Sequence, residues 1–212
     1  VDVWVGLAPK PKTTKDDWGK SAREALESAA NTDAEGFARA VAGAYDARLK
    51  SGLKPPKALF SAVRSKDVFL DAYREHLGLR LLEGGGTQRE RAQLDDLERE
   101  CGASYGAKAR AMVADADESL KLGSEFRETF AGLAVAPMAI APGAWPAYDT
   151  SSLVLPRALG EARAAFEAFY TKRHRGRKLR WLPDLGRCIV SGACVPASRS
   201  PRRASGGGFV PG

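Results

Sequence analysis

The sequence predicts a mainly α fold, an antiparallel four-helix-type bundle over residues 16–131 followed by a partial α/β domain over 132–190 with a small antiparallel sheet. Three observations predict it. Apolar residues recur three and four apart through the first two thirds of the chain, the spacing that places them on one helical face. From Leu133 that spacing yields to short alternating apolar runs punctuated by Pro and Gly, as strands and turns require. Between Leu155 and Trp181 a helix, a basic turn and a strand follow one another directly.

Taken in order, residues 1–15 mix an apolar alternation (Val1, Val3, Val5) with Pro9, Pro11 and lysines, and are expected to be linker. Lys15 to Ala30 has Asp16 or Asp17 near its start and Trp18, Ala22, Ala25, Leu26 and Ala29 on one side, so a packed helix is expected. Thr32 or Asp33 can cap a second helix striped by Phe37, Val41, Ala44, Tyr45 and Leu49, ended by Ser51-Gly52 and Pro55-Pro56. Asp67 is expected to cap the next, whose stripe is Phe69, Tyr73, Leu77 and Leu81. A ligand pocket lined by those aromatics is the rarer reading, because a helical stripe is ordinarily packing.

Gly84-Gly85-Gly86 stops that helix. It follows a helix rather than a strand and lacks the Gly-Lys-Ser/Thr of a phosphate-binding loop, which argues against nucleotide binding. Thr87 with Glu90 forms a predicted capping box for a helix with Leu94, Leu97, Cys101 and Tyr105 inside and Arg89, Glu90, Arg91, Asp95, Asp96, Glu98 and Arg99 on a solvated outer face. Gly102 marks an expected kink, and Met112, Ala116, Leu122, Phe126 and Phe130 carry the apolar face onward, interrupted near Gly123.

In the second part, Leu133, Val135, Met138 and Ile140 suggest an extended segment. Pro137 cannot donate to a ladder, so that strand lies at an edge or is broken there. Pro142, Gly143, Trp145 and Pro146 impose turns. Pro156 suits the first position of a helix carrying Leu159, Ala162, Phe166, Phe169 and Tyr170 on one face. Gly176 breaks it. Leu179–Trp181 and Cys188–Val190 are then expected to pair as a β-hairpin around Pro183 to Gly186, and residues 191–212, rich in Ser, Gly, Pro and Arg, to be a disordered basic tail.

Composition excludes several classes. With 44% hydrophobic and 28% charged residues, 212 residues can bury a core. No run of about 18 apolar residues suggests a membrane span, and no signal-peptide plan opens the chain. Cys101, Cys188 and Cys194 are odd in number and lack metal-ligand spacing, so a reducing, cytoplasmic or nuclear, setting is expected with no cofactor or metal. His174 has no second ligand near it and is expected to be a turn residue. No nucleophile, base and orienting group assemble at recognisable spacing, so an enzyme is not expected and no small-molecule substrate is implied.

Net charge is +7, but residues 171–203 hold ten Lys or Arg against Asp184, a balance of +9, leaving the rest at −2. A uniformly basic nucleic-acid-binding domain would differ. A second reading is a helical protein that binds nucleic acid through Lys172 to Arg203.

Several spaced motifs resemble the cullin family at the start of its C-terminal homology region. They are Lys66-Asp67-Val68-Phe69 with Tyr73, Leu77 and Arg80-Leu81-Leu82; Glu100-Cys101-Gly102 with Tyr105; Asp115, Ser119 and Phe126; Trp145-Pro146; Leu155-Pro156; Phe166 with Phe169-Tyr170; and His174, Gly176-Arg177-Lys178-Leu179, Trp181 and Leu185-Gly186. The resemblance runs from about Asp16 to Val190, and a truncated or fragmentary member is the expectation. It implies a non-catalytic scaffold of a ubiquitin ligase that holds a RING-box protein, and through it a ubiquitin-conjugating enzyme. In the family an extended RING segment adds to the cullin sheet, a mode in which main-chain bonds bind and alternate side chains select. The corresponding positions here are Val135, Met138, Ile140, Leu179, Trp181 and Ile189, with Trp145 as packing anchor.

Overall fold

Stripes of apolar residues three and four apart can leave water only by packing together, and seven α-helices do so in a computed structural model that describes residues 15–84, 86–132, 135–149 and 154–187, with side chains from residue 19 onward. They are α1 Lys15–Thr32, α2 Ala34–Lys50, α3 Lys57–Ala62, α4 Lys66–Leu82, α5 Thr87–Cys101, α6 Ala107–Thr129 and α7 Arg157–Arg173. Residues 1–14 and 188–212 of the expected linker, hairpin and tail, Ile189 included, lie outside the described residues.

The main core joins α2 and α4 to α3, α5 and α6. The predicted α4 stripe of Phe69, Tyr73, Leu77 and Leu81 is fully buried, and Tyr45, Phe60 and Phe69 stack edge and tilt with centroids 4.7–6.1 Å apart. Such pairs contribute about 0.5–1.5 kcal/mol each beyond their burial. A smaller cluster lies beyond it, where Leu122 and Phe126 of α6 meet Phe166 and Tyr170 of α7. Asp33 caps α2, its carboxylate accepting from the Gly36 N–H at 2.8 Å.

At Glu90 the local signal misleads because of a buried partner. Glu90 is neither in a capping box nor on the outer face. Gly86 is the N-cap, Thr87 the first helical residue, and Glu90 is 4% exposed, accepting both a fork from Arg80 at 2.8 and 2.9 Å and the Tyr73 hydroxyl at 3.2 Å. Arg80 also reaches Asp46 at 2.6 Å. Burial pushes the Asp46 carboxyl upward, but hydrogen bonds from Lys50 and Arg80 outweigh it and hold it below the usual range.

Asp67 likewise falls inside the first turn of α4, where Ser65 is the N-cap. Gly102 does not kink one long helix. With φ near +98°, it ends α5, and residues 102–106 turn the chain into a separate α6, which Gly123 does not interrupt. Arg110 then pairs with Glu98 and Asp95, and Arg91 with Asp117, so α5 and α6 run antiparallel. Pro156 is the N-cap of α7, one place earlier than expected, and α3 falls just after Pro55-Pro56, where no helix is predicted. On α1, Ala22, Ala25 and Ala29 are exposed; the burial falls on Ala30.

The expected antiparallel sheet is not present among the described residues, which contain no strand. Residues 135–141 and 177–182 are neither helix nor strand, and Pro183–Leu185 is a single 3-10 turn where the hairpin bend is expected. The second arm, Cys188–Val190, lies outside the description.

Candidate partner-docking site

The expected docking residues gather on and around a strap, residues 135–149, laid against α6. Its anchors come from helix periodicity. Asp115 and Ser119, four residues apart, share a face of α6 with Met112 and Leu122, and Ala139 and Ala141, two apart on the strap, both turn their N–H groups to it. The Ala139 N–H donates to Ser119 Oγ, and Asp115 Oδ2 accepts from the Ala141 N–H at 3.1 Å and from Trp145 Nε1–H at 2.9 Å. Because residue number rises along the strap as it falls along α6, the two run antiparallel. Arg74 of α4 adds a bond to the Ala144 carbonyl at 2.5 Å.

Side-chain oxygens of α6 thus take the Ala139 and Ala141 N–H groups, which a sheet ladder on that edge would otherwise use. Pro137, without an N–H, fits such an arrangement. Close approach also needs a small residue at Gly78. A Cβ there would meet the Tyr148 hydroxyl at 2.5 Å, Met112 Cε at 3.4 Å and Trp145 Cε3 at 3.7 Å, whereas one on Gly123 would only reach ordinary contact with the Pro137 carbonyl oxygen at 3.4 Å. Gly78 is therefore the notch in α4 that admits Trp145, which is 6% exposed.

The strap divides its side chains between two clusters. Met138, Ile140 and Trp145 pack on the main core, and Val135 with Ala139 on the smaller one. Leu179 and Trp181 join that same smaller cluster from beyond α7. Trp181 lies edge-on to Phe166 at 6.0 Å, donates from Nε1 to Glu167 at 2.5 Å, and carries the Arg163 guanidinium 5.4 Å from its ring. Hydrogen bonds from Arg163 and Trp181 hold the Glu167 carboxyl below its ordinary range.

The expected site residues thus fall in two groups, Met138, Ile140 and Trp145 on the main core and Val135, Leu179 and Trp181 on the smaller cluster, and Ile189 lies outside the described residues. Missing from the expected set are Arg74, Asp115, Ser119 and Glu167, which hold the others in place. Their signal was available for α6, where a carboxylate and a hydroxyl interrupt an apolar stripe at helical spacing. His174 caps the end of α7 with its ring 4.6 Å from that of Tyr170, in keeping with a turn residue. No helix among the described residues is long and apolar enough to cross a membrane.

Comparison with known proteins matches residues 18–123 to a family model described as the cullin alpha solenoid domain and residues 140–200 to one described as the cullin alpha+beta domain. Cullin-4A of Mus musculus is 30% identical over 155 residues, covering 69% of this chain and 20% of that protein. Cullin-4 of Schizosaccharomyces pombe is 30% identical over 183 residues, 78% of this chain and 25% of its own length, and Cullin-1 of Oryza sativa subsp. japonica is 28% identical over 155 residues, 69% and 21%. The chain spans about a fifth to a quarter of the length of these curated relatives. With a family model on half of its residues and a second beyond it, this chain belongs to the cullin family.

Proposed function

We propose that this chain serves as a non-catalytic scaffold segment of a cullin-RING ubiquitin ligase, binding a RING-box protein that brings in a ubiquitin-conjugating enzyme for ubiquitin-dependent protein catabolism. The setting is intracellular, cytoplasmic or nuclear. The observation that carries this reading is the one-sided anchoring of the strap. Its Ala139 and Ala141 N–H groups are spent on α6, while Met138 and Ile140, on the opposite edge, have no backbone partner among the described residues. An extended segment with one edge fixed and the other open is a template for a partner strand, whose main-chain bonds bind and whose alternate side chains select. Val135, Leu179 and Trp181 supply an apolar floor beside it.

The test is co-purification with a RING-box protein. Capture is expected with the native chain and is expected to fall at least tenfold with Ile140→Pro, which removes a donor on the open edge, while Ala136→Ser at an exposed strap position leaves it unchanged. Equal capture by Ile140→Pro, or none by the native chain, defeats the reading.

A further inference from the structure

The turn that ends α2 is closed on itself yet open to solvent. Gly52, with φ near +74°, follows Ser51, and the Gly52 and Leu53 N–H groups return to the Leu49 and Arg48 carbonyls at 3.1 and 2.9 Å, the ending that a left-handed glycine allows. Residues 50–54 are all exposed, and the Ser51 hydroxyl among them donates to the Ala47 carbonyl at 2.9 Å. Bonds at such a surface tip open locally at low cost, so an enzyme can reach that hydroxyl.

Two guanidinium groups are tied to this turn. Arg48 donates from Nε to the Lys54 carbonyl at 3.1 Å, and Arg89, in the first turn of α5, donates from Nη1 to the Leu49 carbonyl at 3.1 Å. A Cβ on Gly52 would lie 3.9 and 4.0 Å from Arg89 Nη1 and Nη2. Other arginines also lack a carboxylate; what sets these two apart is that carbonyls on either side of Ser51 fix them both, while their remaining N–H groups make no bond among the described residues. Lys50, by contrast, is held by Asp46 at 2.9 Å. A phosphate at a helix C-terminus meets the negative end of the helix and disrupts it unless cations answer it. Here they are already in place, and a planar guanidinium offers paired donors to phosphate oxygens.

We propose that Ser51 is a phosphorylation site whose phosphate is clamped by Arg48 and Arg89, fastening the end of α2 to the start of α5, independently of the scaffold role above. The phosphoryl donor is a nucleoside triphosphate brought by a protein kinase. Ser51 Oγ attacks the γ-phosphorus, the bond from that phosphorus to the bridging oxygen breaks, the nucleoside diphosphate leaves, and the hydroxyl proton passes to the kinase. Arg48, three residues before Ser51, also gives a kinase a charge to select by.

The experiment treats the full chain with magnesium ATP and a kinase that selects serine behind arginine, and maps the product by mass spectrometry. Ser205, behind Arg202-Arg203, shows that the kinase is active. Modification of Ser51 is expected, and its loss in S51A. In the S205A chain, phosphorus NMR is expected to place the second ionisation of the Ser51 phosphate below the ~6 of ordinary phosphoserine, with R89Q returning it toward that value. Phosphorylation is also expected to raise the unfolding midpoint, and R89Q to remove the gain. Arg89 is exposed, so an unchanged midpoint of unmodified R89Q shows that the fold is intact. The proposal is overturned if Ser205 is modified and Ser51 is not, if the Ser51 phosphate titrates as ordinary phosphoserine, or if phosphorylation lowers the midpoint. An equal rise of the midpoint with inorganic phosphate alone overturns it too, pointing to a site for a free anion.

Discussion

Asp115 Oδ2 accepts from the indole N–H of Trp145 and, through the same oxygen, from the backbone N–H of Ala141. One carboxylate oxygen thus fixes both the path of the strap and the depth of its anchor. Replacing Asp115 by Ala removes a charged acceptor from two donors and is expected to cost about 1.5–3 kcal/mol. Hydrogen exchange gives the sharper check. The amide of Ala141 should lose protection while those of α2 and α4 keep theirs, and unchanged protection at Ala141 would contradict the anchoring role.

Arg80 is 5% exposed between Asp46 and Glu90, so deleting it leaves Glu90 buried without its cation and Asp46 with only the surface Lys50 at 2.9 Å. Arg80→Met is expected to destabilise by about 3–5 kcal/mol in denaturant unfolding. Arg80→Lys should recover only part of this, because an ammonium cannot donate to Glu90 as a planar fork. If Lys restored full stability, charge alone rather than the fork would be what matters.

Gly78 separates two effects of adding a side chain. Gly78→Ala improves helix propensity by about 0.5–1 kcal/mol while forcing the Tyr148 hydroxyl to move, so its net change should be small. Gly78→Leu cannot share the notch with Trp145 and Met112. Loss of about 1–3 kcal/mol is expected from overpacking, together with a red-shifted Trp emission as Trp145 is displaced into water.

Phe166 tests the smaller cluster. It touches Phe126, Phe169, Tyr170 and Trp181, so Phe166→Ala should cost about 3–5 kcal/mol locally. Exchange protection is expected to fall across α7 and the strap with the α2–α4 pair unaffected. Uniform loss across the chain would show instead that the two clusters unfold as one.

Acid should weaken the fold through identifiable carboxylates. Burial raises Asp46 but Lys50 and Arg80 lower it further, Lys57 lowers Asp96, and Arg163 with Trp181 lowers Glu167. A carboxyl with a depressed folded pKa stabilises the fold above its unfolded value, 3.8 for Asp and 4.5 for Glu, and that contribution disappears as pH falls through the folded value. Unfolding free energy is therefore expected to be steady near neutrality and to decline below about pH 4.5. Asp46→Asn should make the acid decline shallower, and an unaltered slope would remove Asp46 from the account.

Sequence alone determined the helical body. Phe69, Tyr73, Leu77 and Leu81 had to share a face and had to be buried, because i+4 spacing on a helix leaves no other arrangement, and Asp33, ahead of a striped run, was a readable cap. Ordered motifs such as the Trp145-Pro146 pair and Gly176-Arg177-Lys178-Leu179 with Trp181 carried the family. Tertiary structure alone decided where polar groups found their partners. Glu90 fits a local capping box by spacing, yet Arg80 lies across the core and offers a bidentate charged partner, which outweighs one exposed backbone bond. The strap has the alternation of a strand, but whether an extended chain joins a ladder depends on what meets its N–H groups. Here Ser119 and Asp115, 20 and 26 residues away in sequence, take the N–H groups of Ala139 and Ala141. Local pattern fixes which side of an element is apolar; only the folded chain brings distant donors and acceptors into range.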